Sequence, residues 1–133
     1  MAALFPQQNT ALKGYVKNIP DFSIQTKLGN FLSMYFACHI LAGKLVKYKK
    51  GKEAKPLRVD MIKSAIKTFG LQIADSVIDE IFSLDAKRVR GNYSCRILRN
   101  NYVHNLSKND KDEIESRFVD LKNYMEQWID LFK

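Results

Sequence analysis

The chain has 133 residues and a mass of 15.4 kDa, the size of one ordinary domain with enough residues for a real hydrophobic core. Hydrophobic residues make up 46% of the sequence and aromatic residues 11%, which argues against an intrinsically disordered chain. With 6 Gly and 3 Pro, the sequence lacks the frequent turns of a β-sandwich, so the composition favours a helical protein.

The net charge of +8 is concentrated in two basic blocks. Residues 44–58 hold seven basic side chains and one acid, and residues 86–108 hold six basic side chains and no acid. Residues 109–133 are acidic. Clustered positive charge attracts polyanions, of which nucleic acid is the commonest, while the alternative interpretation is a solvated surface that only aids solubility.

We expect a cytoplasmic protein without membrane contact. No run of about 18 apolar residues is present, and the first residues lack the basic and apolar regions of a secretory signal. Cys38 and Cys95 are too few for a disulfide framework and fit a reducing compartment.

Residues 1–22 are predicted to be an irregular lead-in because Pro6, Gly14 and Pro20 interrupt them. A long helix is predicted over 24–48, capped by Asp21 or Ser23 and ended by Gly51. Its predicted buried stripe consists of apolar residues that recur at alternating intervals of four and three residues, and a second line of residues lies beside the first. The first line is Ile24, Leu28, Phe31, Tyr35, Cys38, Ala42 and Leu45, and the second is Leu32, Phe36 and His39.

The remaining sequence predicts shorter helices at 58–68, ending at Gly70, and at 72–84, then a basic loop at 85–93. Ser94 is predicted to cap a helix that reaches about 105. Ser107 and Asp110 resemble a capping box opening one long last helix. We therefore expect a single all-α domain, a bundle of four or five helices with long first and last members. The apolar stripe of that last helix is Ile114, Phe118, Leu121, Met125, Trp128 and Phe132.

No metal or cofactor site is expected. His39, His104, Cys38 and Cys95 do not form a metal-binding spacing, and no glycine-rich phosphate loop is present.

Residues 94–106 combine basic, carboxamide and imidazole side chains with no acid. Arg96, Asn100 and His104 follow at intervals of four. Arg99 lies one step round from Asn100 and about 140° from His104 on an ideal helix, and its long side chain can reach round toward the histidine. This set suits RNA cleavage: an imidazole can take the 2′-OH proton or protonate the leaving oxygen, and a guanidinium can stabilise the charged phosphorane. The alternative is that His104 only complements the helix dipole and Arg99 is a surface base.

The segment from Arg99 to His104, with Asn100 directly after the arginine, resembles the R-x(4–6)-H motif of HEPN domains. The resemblance covers roughly residues 24–132 and implies an all-α bundle with the motif on a late helix. It implies a metal-independent endoribonuclease that works as a homodimer with a composite cleft, in toxin–antitoxin or anti-phage defence. Arg99 and His104 would then be catalytic, and Asn100 would support them.

The resemblance also guides the expected partners. We expect an RNA substrate whose backbone is gathered by basic side chains of both blocks, and an antitoxin or defence-system protein as a further partner. Leu106 stands where many HEPN toxins have a tyrosine, so modification there is not expected. His39 is interpreted as a core histidine rather than a cleft residue. The expected RNA-binding residues are Arg96, Arg90, Arg88, Lys49 and Lys50.

A second hypothesis is a helical module without catalytic activity, which binds nucleic acid or serves as an interaction domain of a larger toxin or defence protein. Such a module would retain RNA without cutting it, and its affinity would fall steeply with salt.

Overall fold

A computed structural model describes residues 3–21, 25–85 and 87–133. Over these ranges the chain forms seven α-helices and no β-strand, which confirms the all-α prediction, although with more helices than the four or five expected. The helices are α1 (Pro6–Lys17), α2 (Lys27–Lys50), α3 (Val59–Thr68), α4 (Asp75–Phe82), α5 (Cys95–Asn105), α6 (Lys108–Ser116) and α7 (Phe118–Asp130).

The predicted irregular lead-in is wrong, because most of it is helix α1. Pro6 occupies the first turn, where its missing N–H is tolerated, and Gly14 lies inside the helix. The backbone N–H of Phe5 donates to the side chain of Gln8 at 2.9 Å. Buried Leu12 and Val16 attach α1 to the rest of the molecule.

Helix α2 runs through the centre of the fold and packs against α1, α3, α5, α6 and α7. Its cap is Thr26, whose hydroxyl accepts from the Gly29 N–H at 3.0 Å. Asp21, one of the two predicted caps, does not fill this position, and the other, Ser23, lies outside the described residues together with Ile24. Gly51 ends the helix in the left-handed conformation with φ 77°, as predicted.

The first predicted stripe of α2 is largely confirmed, but the second line is wrong. Phe31, Tyr35, Cys38, Ala42 and Leu45 are buried. In the second line Phe36 is 61% exposed, and Leu32 and His39 are only half-buried. The helix turns its other flank inward, and the buried residues on that flank are Met34 and Leu41.

The last predicted helix is divided into α6 and α7 at Arg117. This residue has φ −101° and ψ 12°, and its guanidinium donates to the Tyr93 carbonyl at 2.8 Å and to the Glu113 carboxylate at 2.6 Å. Ser107 precedes α6, but its side chain makes no capping hydrogen bond. The predicted apolar stripe nevertheless continues across the junction. The Trp128 ring packs edge-on against the Phe82 ring, with the ring centroids 5.1 Å apart.

Two buried carboxylates hold the 85–93 loop on α6. Glu113 accepts from the backbone N–H groups of Gly91 at 2.8 Å and Tyr93 at 3.3 Å. Asp110 pairs with Arg90. The predicted loop is therefore docked on the helical bundle by hydrogen bonds to its main chain.

Both cysteines are free and buried. Burial raises the pKa of the Cys38 thiol well above its ordinary value and that of Cys95 to about 12. Cys38 lies on α2 and Cys95 opens α5, so each thiol belongs to the apolar core. In the part of the chain that the structure describes, no helix is long and apolar enough to span a membrane.

Candidate functional site

Helix α5 carries the motif and begins at a fixed point. The Ser94 hydroxyl accepts from the Ile97 N–H at 3.1 Å and donates to the Ser83 carbonyl at 2.6 Å. Cys95 and Leu98 are fully buried on the inner face of the helix. The cap predicted at Ser94 is confirmed. The motif residues, from Arg99 to His104, lie in the second half of α5.

Arg96 does not have the role that the sequence predicts. Its side chain is buried, with only 9% of the residue exposed. The guanidinium donates to the carbonyl of Leu57 at 2.7 Å and lies 3.5 Å from that of Phe82. Because its donors are directed at the main chain, Arg96 links α5 to α4 and to the segment before α3 and is not placed to gather an RNA backbone.

The structure brings two of the three predicted catalytic residues together. Arg99 is half-buried and donates to the Asn100 side-chain oxygen at 3.0 Å. His104 is exposed in the last turn of α5. No hydrogen bond or ion pair joins His104 to Arg99 or Asn100. Asn100 therefore positions the guanidinium rather than the imidazole.

Beyond His104, the helix ends at Leu106 in the left-handed conformation, with φ 49° and ψ 35°. A non-glycine residue with such a φ is uncommon. The side chain is 75% exposed, and Val103 beside the histidine is 49% exposed. An apolar surface therefore flanks the imidazole.

On α2, the rings of Tyr35 and His39 lie with their centroids 6.0 Å apart, and the charge of Arg99 acts on both side chains. Burial lowers the pKa of His39, and the charges of Arg96 and Arg99 lower it further. The Tyr35 hydroxyl is buried, and no hydrogen-bond partner is found for it in the described ranges. Burial raises the pKa of this hydroxyl, while the two arginines oppose the shift. His39, expected in the core, is half-buried and close to both guanidiniums.

Arg88 and Arg90, both expected to bind RNA, are paired with acids from other parts of the chain. Arg88 binds Glu80 at 3.1 Å. Arg90 pairs with Asp110 and stacks over the Tyr93 ring at 4.9 Å. The block at 86–108 contains no acid of its own, but folding brings acids to it. These two arginines therefore contribute less free positive charge than the sequence suggests.

Lys49 and Lys50, the two lysines predicted to bind RNA, lie outside the basic recess beside α2. Lys49 hydrogen-bonds the Ser64 hydroxyl, and Lys50 is exposed at the end of α2. Neither lysine lines the recess of about 550 Å³ between α2 and the 51–58 loop. The basic residues that do line it are His39, Lys44, Lys47, Lys55 and Arg96. The signal in the sequence was the four-residue spacing of His39, Gly43 and Lys47 on one face of α2.

Comparison with protein-family models, curated proteins and solved structures found no match. The HEPN resemblance of the motif therefore stays a prediction based on the sequence. Across residues 3–21, 25–85 and 87–133, no group of three or more His, Cys, Asp or Glu side chains is placed to hold a metal ion.

Proposed function

We propose that this chain is a HEPN-type endoribonuclease that cleaves RNA without a metal ion, through attack of the 2′-OH on the adjacent phosphorus. The observation that carries the proposal is on α5, where an exposed imidazole lies about 1.4 turns from a guanidinium held by its neighbouring amide. Imidazole and guanidinium are the groups that this reaction needs for proton transfer and for charge stabilisation.

In this mechanism His104 exchanges the proton, either taking it from the 2′-OH or giving it to the departing 5′-oxygen. Arg99 donates to the phosphorane oxygens as their negative charge grows. Its hydrogen bond to Asn100 at 3.0 Å restricts the guanidinium and so lowers the entropy cost of reaching that geometry. Asn100 is thus a positioning residue.

A homodimer would supply the second imidazole that the proposed cleavage needs. One chain supplies a single histidine in the motif, whereas the cleavage requires both a base and an acid. Two copies facing each other would supply two, and the exposed Val103 and Leu106 offer an apolar surface for such a contact. We place the enzyme in the cytoplasm, within a toxin–antitoxin or anti-phage system that supplies a partner protein.

The test is RNA cleavage in EDTA by the wild type, His104→Ala and Arg99→Ala. We expect the wild type alone to cut RNA and to leave 2′,3′-cyclic phosphate ends. Both replaced side chains lie outside the fully buried core, so circular dichroism should show folded protein in all three samples. Lys111→Ala, an exposed basic residue on α6, is the matched control and should cut like the wild type.

Undiminished cleavage by His104→Ala would overturn this assignment. The second candidate function, a helical module that binds nucleic acid without cutting it, is favoured by the basic recess beside α2. Its signature would be retention of RNA by folded wild-type protein, with no product and with an affinity that decreases steeply as salt increases.

A further inference from the structure

The recess beside α2 has the size and walls of a small-molecule site. It encloses about 550 Å³, within the usual range for ligand pockets. One wall is the second half of α2, with Ile40 and Gly43. The opposite wall is the 51–58 loop, where Ala54, Pro56 and Leu57 supply apolar surface.

The recess has a net positive lining. Lys47 and Lys55 line it, together with Lys44, whose ammonium lies 5.9 Å from the centroid of the Tyr15 ring on α1. Glu53 is the one acid among its described lining residues. Glu53 offsets one of these positive charges, and it lies 3.8 Å from Lys55 with both side chains largely exposed. An exposed pair of this kind is held only weakly, so Lys55 can turn to a phosphate instead. The Tyr48 and His39 rings add flat faces beside the cations.

Gly43 belongs to the wall on α2. A Cβ atom added at Gly43 would meet no other atom within 4 Å, so packing within the protein does not require glycine at this position. A large side chain at residue 43 would therefore narrow the recess without a clash at its Cβ atom.

We propose that the recess binds a nucleoside phosphate, with its base against the aromatic and apolar wall and its phosphate on the lysines. A planar, partly apolar group joined to an anion matches both halves of this lining. In this proposal Lys47 and Lys55 hold the phosphate, and Tyr48 and Pro56 contact the base.

The nucleoside phosphate has two sources that share this chemistry. It is either a free nucleotide or one unit of an RNA strand that also reaches the motif on α5. The second source rests on the proposed ribonuclease function, whereas binding of a free nucleotide does not. Direct binding measurements separate the two because they require no cleavage.

The experiment is isothermal titration calorimetry with two ligands. Adenosine diphosphate is titrated into the wild type, and a single-stranded RNA of about ten nucleotides is titrated into His104→Ala, so that the strand stays intact. Gly43→Leu fills the recess and should weaken binding about tenfold or more. Gly14→Leu is the matched control, since a Cβ at Gly14 also meets nothing within 4 Å and this residue does not line the recess.

A second pair of variants tests the charge. Lys55→Glu should weaken binding about tenfold, while Lys13→Glu makes the same charge change on α1 and should leave the affinity within about twofold of the wild type. Because the Lys55 side chain is exposed, Lys55→Glu should fold, and this pair still tests the site if Gly43→Leu fails to fold.

Binding of adenosine diphosphate that Gly43→Leu or Lys55→Glu weakens supports the site with a free nucleotide. Binding of RNA alone, weakened by the same changes, supports the site with a strand. The proposal is overturned if neither ligand binds, or if the folded variants bind like the wild type. A protein that binds in the recess but never cuts RNA would keep this inference and refute the proposed function.

Discussion

Arg96 and Arg99 are one turn apart on α5, but their guanidiniums have different surroundings. Arg96 is buried and directed at main-chain carbonyls, whereas Arg99 is half-buried and bound to the neighbouring Asn100. A hydrogen bond from a charged donor to a buried acceptor contributes more to stability than a partly solvated one. Arg96 therefore has a structural role, whereas Arg99 is the arginine with a candidate catalytic role.

Replacing Arg96 with Ala should lower the free energy of unfolding by about 2–3 kcal/mol, because the Leu57 carbonyl loses its charged donor at a buried site. Arg99→Ala is the matched control on the same helix and should cost less than about 1 kcal/mol. Urea denaturation monitored by circular dichroism measures both. Equal losses in the two variants would contradict the structural role of Arg96.

His39 should make stability depend on pH. Its folded pKa is lowered below the ordinary 6.5, first by burial and then by Arg96 and Arg99, so the unfolded chain takes up the proton before the folded chain does. The free energy of unfolding should therefore fall as the pH drops below about 7 and stop falling once the folded imidazole is also protonated.

The measurement is urea denaturation of the wild type and His39→Gln between about pH 8 and pH 5. Both proteins share every carboxylate, so the difference between the two profiles isolates the histidine. We expect His39→Gln to lose less stability on acidification. Parallel profiles would show that His39 does not carry this dependence.

At the scale of elements, the junction of α6 and α7 depends on one carboxylate. Glu113 is buried, accepts two backbone N–H groups of the basic loop and pairs with Arg117. It thereby joins the basic loop, about 20 residues away in the sequence, to α6 and to the junction residue four positions on. A partner removed from such a set leaves a buried charge and main-chain donors without acceptors.

Glu113→Ala should lower the free energy of unfolding by about 3 kcal/mol. Asp112→Ala removes the neighbouring carboxylate, whose ion pair with Lys108 is exposed, and should cost less than about 0.5 kcal/mol. Thermal unfolding of the two variants beside the wild type makes the comparison. A small loss for Glu113→Ala would show that the loop is not held by this carboxylate.

At the scale of the whole molecule, the proposed mechanism requires two copies. Val103 and Leu106 flank His104, and an acidic side chain at both positions would place charge in the apolar contact. We expect Val103→Glu with Leu106→Glu to be monomeric in sedimentation velocity and to lose RNA cleavage. Val119→Glu changes an exposed apolar residue on α7 and should remain dimeric and active.

An active monomeric wild type would refute the composite cleft. Loss of cleavage by the acidic variant while it remains dimeric would instead indicate that Val103 and Leu106 act on the substrate or on His104.

The sequence predicts those parts of the fold that depend on the helical spacing of apolar residues or on a local capping residue. The confirmed local patterns are the first stripe of α2, the apolar stripe that crosses α6 and α7, the cap at Ser94 and the left-handed Gly51. The break at Arg117 was not predictable, because Ile114, Phe118 and Leu121 keep the helical spacing across it and the cause is a contact with the distant Tyr93.

The same limit applies to the candidate site. The motif of Arg99, Asn100 and His104 was visible as residue types on one helix. That Arg96 turns inward, and that Glu80 and Asp110 reach the basic loop, depends on tertiary contacts between segments far apart in the chain. The recess was missed because its second wall is a loop, whose position no periodicity encodes.

The two buried cysteines make thiol labelling a probe of how the fold opens. Thiolate is the reactive form, and both thiols stay protonated and shielded in the folded chain. A maleimide reagent will therefore modify Cys38 or Cys95 only when α2 or α5 opens, and its rate reports how often that occurs. An added surface cysteine, for example at Lys13, will carry a fluorophore at one position while the native thiols remain unlabelled.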